Sequence, residues 1–215
     1  MTFLKTEVFH PLNKSKPKKI IVLLHGYGGN GKNISLLANF WRRKLKNTII
    51  YCPSAPKKCK NEKNKFKWFT PENEFKKSIL LELNFSLKKI NQFINYVLRI
   101  NKLSEKNLVL GGFSQGCMLA LQAGLQRKKK FKAIIGFSGK IINQDEIKNK
   151  IRSKPNIYLF HGDKDKIVNP KFFFETQKFL KKNKFNLKAK LFKNCDHKIP
   201  ATGANLALDI LANKL

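Results

Sequence analysis

The chain has 215 residues, enough for one domain that buries roughly 70% of the surface its unfolded form would expose. Hydrophobic residues make up 42% of it, 18 of its residues are Phe, and this core-forming content excludes a disordered polymer despite 27% charged residues. Its 45 basic and 13 acidic residues give a formal charge of +32, and its longest aliphatic run, Ile20 to Leu24, is only five residues, against about 20 for a membrane-spanning helix.

Short apolar runs rich in Ile, Val, Leu and Phe alternate with longer segments of helical period, which predicts a mostly parallel sheet flanked by helices within a single domain, 1–215. The segment Met1 to His10 mixes Lys5 and Glu7 among apolar residues and lacks the apolar stretch of a secretion signal, so a cytoplasmic location is expected. Strands are predicted over Ile20 to Leu24, Thr48 to Cys52, Asn107 to Gly112, Ala133 to Ser138, Asn156 to His161 and Leu187 to Phe192. Helices are predicted over Asn33 to Leu45, Glu74 to Ile100, Gln115 to Gln126, Pro170 to Lys182 and Thr202 to Leu215. In the second of these, Ile79, Leu83, Leu87, Ile90, Ile94, Val97 and Leu98 fall close to one stripe, the mark of an amphipathic helix packed on the sheet. Pro53 to Pro71 breaks both periods and forms one long irregular connection. Cys52, Cys59, Cys117 and Cys195 show no paired or metal-ligand spacing and are expected to be buried thiols; no metal site is expected.

The most informative stretch is Leu108 to Gly116, an apolar strand entering G-x-S-x-G and then a helical pattern. A nucleophile at a sharp strand-to-helix turn needs a strained backbone, and side chains at Gly112 or Gly116 would crowd it. Ser114 is therefore the candidate nucleophile. A serine hydroxyl needs a base, and that base needs a carboxylate, in the chain order Ser, Asp or Glu, His. Asp163 and Asp165 follow the strand ending at His161. Of the four histidines, His10, His25 and His161 precede them, which leaves His197 as base. His25 and His161 are expected to support loops through backbone hydrogen bonds. The amide of Gln115 is one oxyanion donor, and the amide of Tyr27, in the glycine-rich loop after the first core strand, is the candidate second.

These segments resemble the phospholipase/carboxylesterase group of α/β-hydrolases, which includes acyl-protein thioesterases. The resemblance rests on Leu24-His25-Gly26-Tyr27-Gly28, Cys52 to Pro56, Lys67-Trp68-Phe69, Gly112 to Gly116, Phe137-Ser138-Gly139, His161-Gly162 with Asp165 and Val168, and His197 ahead of a final helix. It implies an α/β-hydrolase fold, makes Asp165 the acid of the triad with Asp163 as a neighbour, and implies that Trp68, Phe69, Ile167 and Val168 border the substrate groove. Cys117 departs from the family's usual glycine, and Asp196 and Lys198 stand where small residues commonly flank the histidine.

The activity implied is hydrolysis of carboxylic esters or thioesters, lipid, acyl-protein or small-molecule, through an acyl-enzyme and without a cofactor. Only Lys140 to Lys154 lies between Gly139 and the next strand, too little for a large cap domain. Only five of the basic residues are Arg, and the lysine runs are scattered. No dedicated nucleic-acid function is expected, whereas non-specific contact with polyanions or anionic membrane at low salt is. The alternative is a basic scaffold that binds nucleic acid or anionic membrane and carries a vestigial triad.

Overall fold

A computed structural model describes residues 4–60, 62–71 and 77–215. In chain order its elements are β1 (Thr6–Phe9), β2 (Lys19–Leu24), α1 (Gly31–Arg42), β3 (Thr48–Pro53), β4 (Lys57–Lys58), β5 (Phe66–Lys67), α2 (Lys77–Ile100), β6 (Leu108–Phe113), α3 (Gln115–Gln126), β7 (Ala133–Phe137), α4 (Gln144–Lys148), β8 (Asn156–Gly162), α5 (Pro170–Lys182), β9 (Leu187–Phe192) and α6 (Ala201–Asn213). Seven strands form one sheet in the order β1-β3-β2-β6-β7-β8-β9. All neighbours are parallel except β1, which runs antiparallel to β3. This is the mostly parallel, helix-flanked architecture expected.

The apolar strands are buried on both faces, and their period of two divides them between two cores. Ile20, Val22 and Leu24 of β2 face one core with α2, α3 and α5. Ile21 and Leu23 face the other, with α1 and α6. The same alternation runs through β6 and β8, where Leu110 and Leu159 point to the first core and Val109 and Phe160 to the second. Every residue of the predicted α2 stripe is buried in the first core. The predicted start of that helix, 74–76, lies outside the described residues.

The structure adds three features to the expected elements. β1 is a four-residue edge strand, too short and too mixed in polarity to register as a period. The irregular connection contains the two-stranded hairpin β4-β5, and the segment after Gly139 holds only the five-residue α4, with no cap. Two loop contacts anchor the long connection: Lys57 pairs with Glu82 at 2.7 Å, and Thr70 donates to the same carboxylate through its amide at 2.6 Å and hydroxyl at 2.8 Å. Among the described residues no helix is long and apolar enough to cross a membrane.

Trp41 joins α1 to α6: it is wholly buried, and its Nε1 donates to Ala204 O at 3.0 Å. Trp41→Ala should lower stability by about 3–5 kcal/mol, read as a fall in the urea midpoint. A change within experimental error would contradict this packing.

Candidate active site

β6 leads directly into α3, with Ser114 between them at φ 52° and ψ −119°. A positive φ costs a non-glycine residue of order 1–3 kcal/mol and persists only when its surroundings enforce it. Here the Ser114 amide donates to Phe137 O at 2.9 Å, and its carbonyl accepts from the Met118 amide at 3.0 Å. The flanking glycines allow the approach. A Cβ at Gly112 would sit 2.3 Å from the Gly116 carbonyl carbon, and one at Gly116 would sit 2.1 Å from Leu24 O. Side chains at either position would push the turn off the sheet.

Three distant segments meet there. His197 Nδ1 lies 2.8 Å from Asp165 Oδ2, and its Nε2 lies 3.0 Å from Ser114 Oγ. The carboxylate only accepts, so Nδ1 carries the proton, and bare Nε2 accepts from the serine hydroxyl. The Asp165 side chain is fully buried. Its Oδ1 accepts from the amides of Ile167 at 3.0 Å and Val168 at 2.8 Å, which leaves Oδ2 for the histidine. Asp163 instead braces the histidine loop, its Oδ1 accepting from the Cys195 amide at 3.2 Å.

A second imidazole reaches the same carboxylate. His161 Nε2 lies 2.8 Å from Val168 O and 3.3 Å from Asp165 Oδ2. The carbonyl accepts, so Nε2 is the donor. Burial lowers the His161 pKa, outweighing the opposing influence of Val168 and Asp165, so the ring is neutral. The backbone bond was expected from the sequence; the approach to Asp165 was not, although the i,i+4 spacing of the two residues offered the signal.

The glycine-rich loop after β2 closes the site. The Gln115 amide is the first of α3 and has no partner inside the helix. The Gly26 backbone, adjacent to Tyr27, packs on the nucleophile: a Cβ there would lie 3.2 Å from Ser114 Cβ. His25 holds this loop, Nδ1 donating to Gly26 O at 2.7 Å and Nε2 accepting from the Ala55 amide at 2.9 Å. Burial takes its pKa down to about 4, against the opposing bond to Gly26.

Trp68 and Phe69, expected beside the substrate groove, are instead buried in the core, at 0% and 4% exposure. Trp68 Nε1 donates to His25 O at 2.9 Å. The Gln115 side chain accepts from the Trp68 amide at 3.2 Å and donates to Phe69 O at 2.7 Å. The pair is a strut between the glycine-rich loop after β2 and α3, because its polar groups are used inward. Val168 is likewise buried in the first core, while Ile167, at 74% exposure, is open to solvent beside Asp165. Cys117 fills the space over Gly136 and Gly139, and burial pushes its thiol pKa up to about 12. Asp196 and Lys198 extend into solvent.

The sequence profile of the Phospholipase/Carboxylesterase family matches residues 7–213. Acyl-protein thioesterase 1 of Kluyveromyces lactis is 29% identical over 187 residues, covering 79% of this chain and 80% of that one. The Schizosaccharomyces pombe acyl-protein thioesterase 1 is 30% identical over 123 residues, covering 55% of this chain and 54% of that protein. Among solved structures, esterase PE8 superposes with a TM-score of 0.92 at 29% identity and full coverage of both chains. Acyl-protein thioesterase 2 of Zea mays has the same fold, with a TM-score of 0.78, 22% identity and coverage of 97% of this chain and 98% of that one.

His161→Leu, which removes the Nε2–H bond to Val168 O beside Asp165, should slow labelling of Ser114 by a fluorophosphonate about fivefold, the cost of one neutral hydrogen bond; an unchanged rate would show that this ring does not position Asp165. Because the folded state holds His25 below its ordinary value of 6.5, the unfolded chain binds the proton first as pH falls. Stability should therefore decline from about pH 6.5 towards 4, with a shallower decline in His25→Asn. Equal slopes in urea titrations of the two proteins would contradict it.

Proposed function

The chain belongs to the phospholipase/carboxylesterase family of α/β-hydrolases and is a carboxylic ester hydrolase, and from that premise we propose that Ser114, His197 and Asp165 perform the acyl transfer. The observation that carries this reading is the unbroken chain of contacts from Ser114 Oγ through His197 to Asp165 Oδ2, at 3.0 and 2.8 Å. His197 Nε2 takes the hydroxyl proton as Oγ attacks the carbonyl carbon of an ester or thioester. Asp165 stabilises the resulting imidazolium without itself taking the proton. The amides of Gln115 and Tyr27 hold the oxyanion, each contributing about 10²- to 10³-fold in rate. The tetrahedral intermediate collapses with transfer of the Nε2 proton to the leaving alcohol or thiol. Water, deprotonated by the same nitrogen, then releases the acid.

We read the whole of 1–215 as one hydrolase domain, acting on lipid, acyl-protein or small esters. The four unpaired, buried cysteines favour a reducing, cytoplasmic setting. The charge of +32 supports loose contact with polyanions or anionic membrane at low salt.

Ser114→Ala should reduce hydrolysis of p-nitrophenyl acetate and butyrate by at least about 10³-fold; turnover retained in that variant would remove the nucleophile assignment.

A further inference from the structure

α1 and α6 pack on the same face of the sheet, and both begin at the active site. α1 starts at Gly31, just after the oxyanion loop, and α6 starts at Ala201, four positions after His197. Between them runs a groove of about 660 Å³, bordered on one side by Ile34, Leu37 and Phe40 and on the other by Ile199, Ala201 and Ala204. Its inner end reaches Gly26, Tyr27 and Phe113. These residues touch the site itself: the Phe113 ring lies 4.8 Å from the His197 ring, centroid to centroid, and Gly26 packs against Ser114.

The lining is unusual for this chain. Charged residues make up 27% of the sequence, yet none of the groove residues is Lys, Arg, Asp or Glu. The imidazole there, His25, is neutral near pH 7, since burial holds its pKa at about 4. The outer rim leaves Leu36 at 78%, Tyr27 at 48% and Phe40 at 39% exposure. A groove without formal charge in so basic a protein, apolar apart from His25, Asn33, Asn205 and the Tyr27 hydroxyl, has no ion partner for an ionic group and matches a hydrocarbon chain.

We propose that this groove between α1 and α6 receives the acyl chain of the substrate, and that the enzyme's substrates are esters or thioesters of medium-chain fatty acids. The proposal rests on the acyl-enzyme reading above. The acyl group stays attached to Ser114 through both half-reactions, whereas the leaving group must depart between them. A groove sunk between two packed helices retains what has to stay. From Asn33 to Phe40 the α1 wall extends about 10 Å, roughly the length of an eight-carbon chain. Selectivity then resides in Phe40, Leu37 and Ala204, and exposed Ile167 is not part of the groove lining.

The test is a p-nitrophenyl ester series from acetate to decanoate on the full chain. kcat/KM should rise at least about tenfold from acetate to octanoate, within the limit of about fourfold per buried methylene. Ala204→Phe, which fills the groove, should lower the octanoate-to-acetate ratio at least about fivefold, and Phe40→Asn, on the exposed rim, about threefold. The rim variant keeps the test valid if the buried one fails to fold. Unchanged ratios in both variants would overturn the proposal, as would a ratio that moves only with Ile167→Ala. A parallel series of acetate esters from ethyl to hexyl reads the alcohol side; an effect of Ala204→Phe confined to that series would assign the groove to the leaving group and overturn the acyl assignment. A solution dimer split to monomers by Leu36→Lys would assign the face to a second copy and have the same consequence. Failure of the acyl-enzyme reading looks different, since hydrolysis would then persist in Ser114→Ala whatever the chain-length ratios.

Discussion

The backbone at Ser114 is the constraint on which the site depends. Its φ of 52° is a conformation that a serine does not hold unaided, and it survives because β7 takes its amide and α3 takes its carbonyl. The gain is positional. The hydroxyl stands at the C-terminal end of the central strand β6, 3.0 Å from His197 Nε2, and the following residue presents its amide at the start of a helix, where partial positive charge accumulates. On the proposed mechanism, strain at this one residue supplies both the reach of the nucleophile and one of the two oxyanion donors. The close contacts at Gly112 and Gly116 hold β6 and α3 near enough to keep that strain in place.

Around this turn, polar groups are used economically. Asp165 is buried, and it is held by two backbone amides, by His197 and by the nearby His161. A buried carboxylate so surrounded has little freedom to rotate, and this fixes which nitrogen of His197 carries the proton. The glycine-rich loop after β2 is held in the same way by neutral His25 and by the Trp68 indole. Fixed dipoles of this kind need no reorganisation as charge develops on the substrate.

The elements legible in the sequence are those whose cause is local. β6, its glycines and the first turn of α3 are contiguous, and α3, α5 and β9 begin and end where the periodicity places them. Chain order alone selects His197. The inward turn of Trp68 and Phe69 is not legible locally, because the groups that hold them lie 43 to 47 residues away, at His25 and Gln115. An aromatic pair in an irregular segment looks the same whether it lines a groove or braces one. The groove between α1 and α6 was invisible for a related reason: each wall reads as an ordinary amphipathic helix, and the gap between them belongs to neither. β1 escaped notice because four residues on a sheet edge carry almost no periodic signal.

The excess of lysine is distributed over the surface and leaves the groove uncharged, which separates electrostatic attraction to polyanions from recognition of the substrate. The central claim is that Ser114 carries the acyl group. Mixing the enzyme with p-nitrophenyl butyrate, quenching with acid within the first turnover and mapping the peptides by mass spectrometry tests it most directly. A butyryl group on Ser114, absent when His197 is replaced by alanine, is the result expected. A butyryl group on any other residue, or its undiminished formation without His197, would contradict the account.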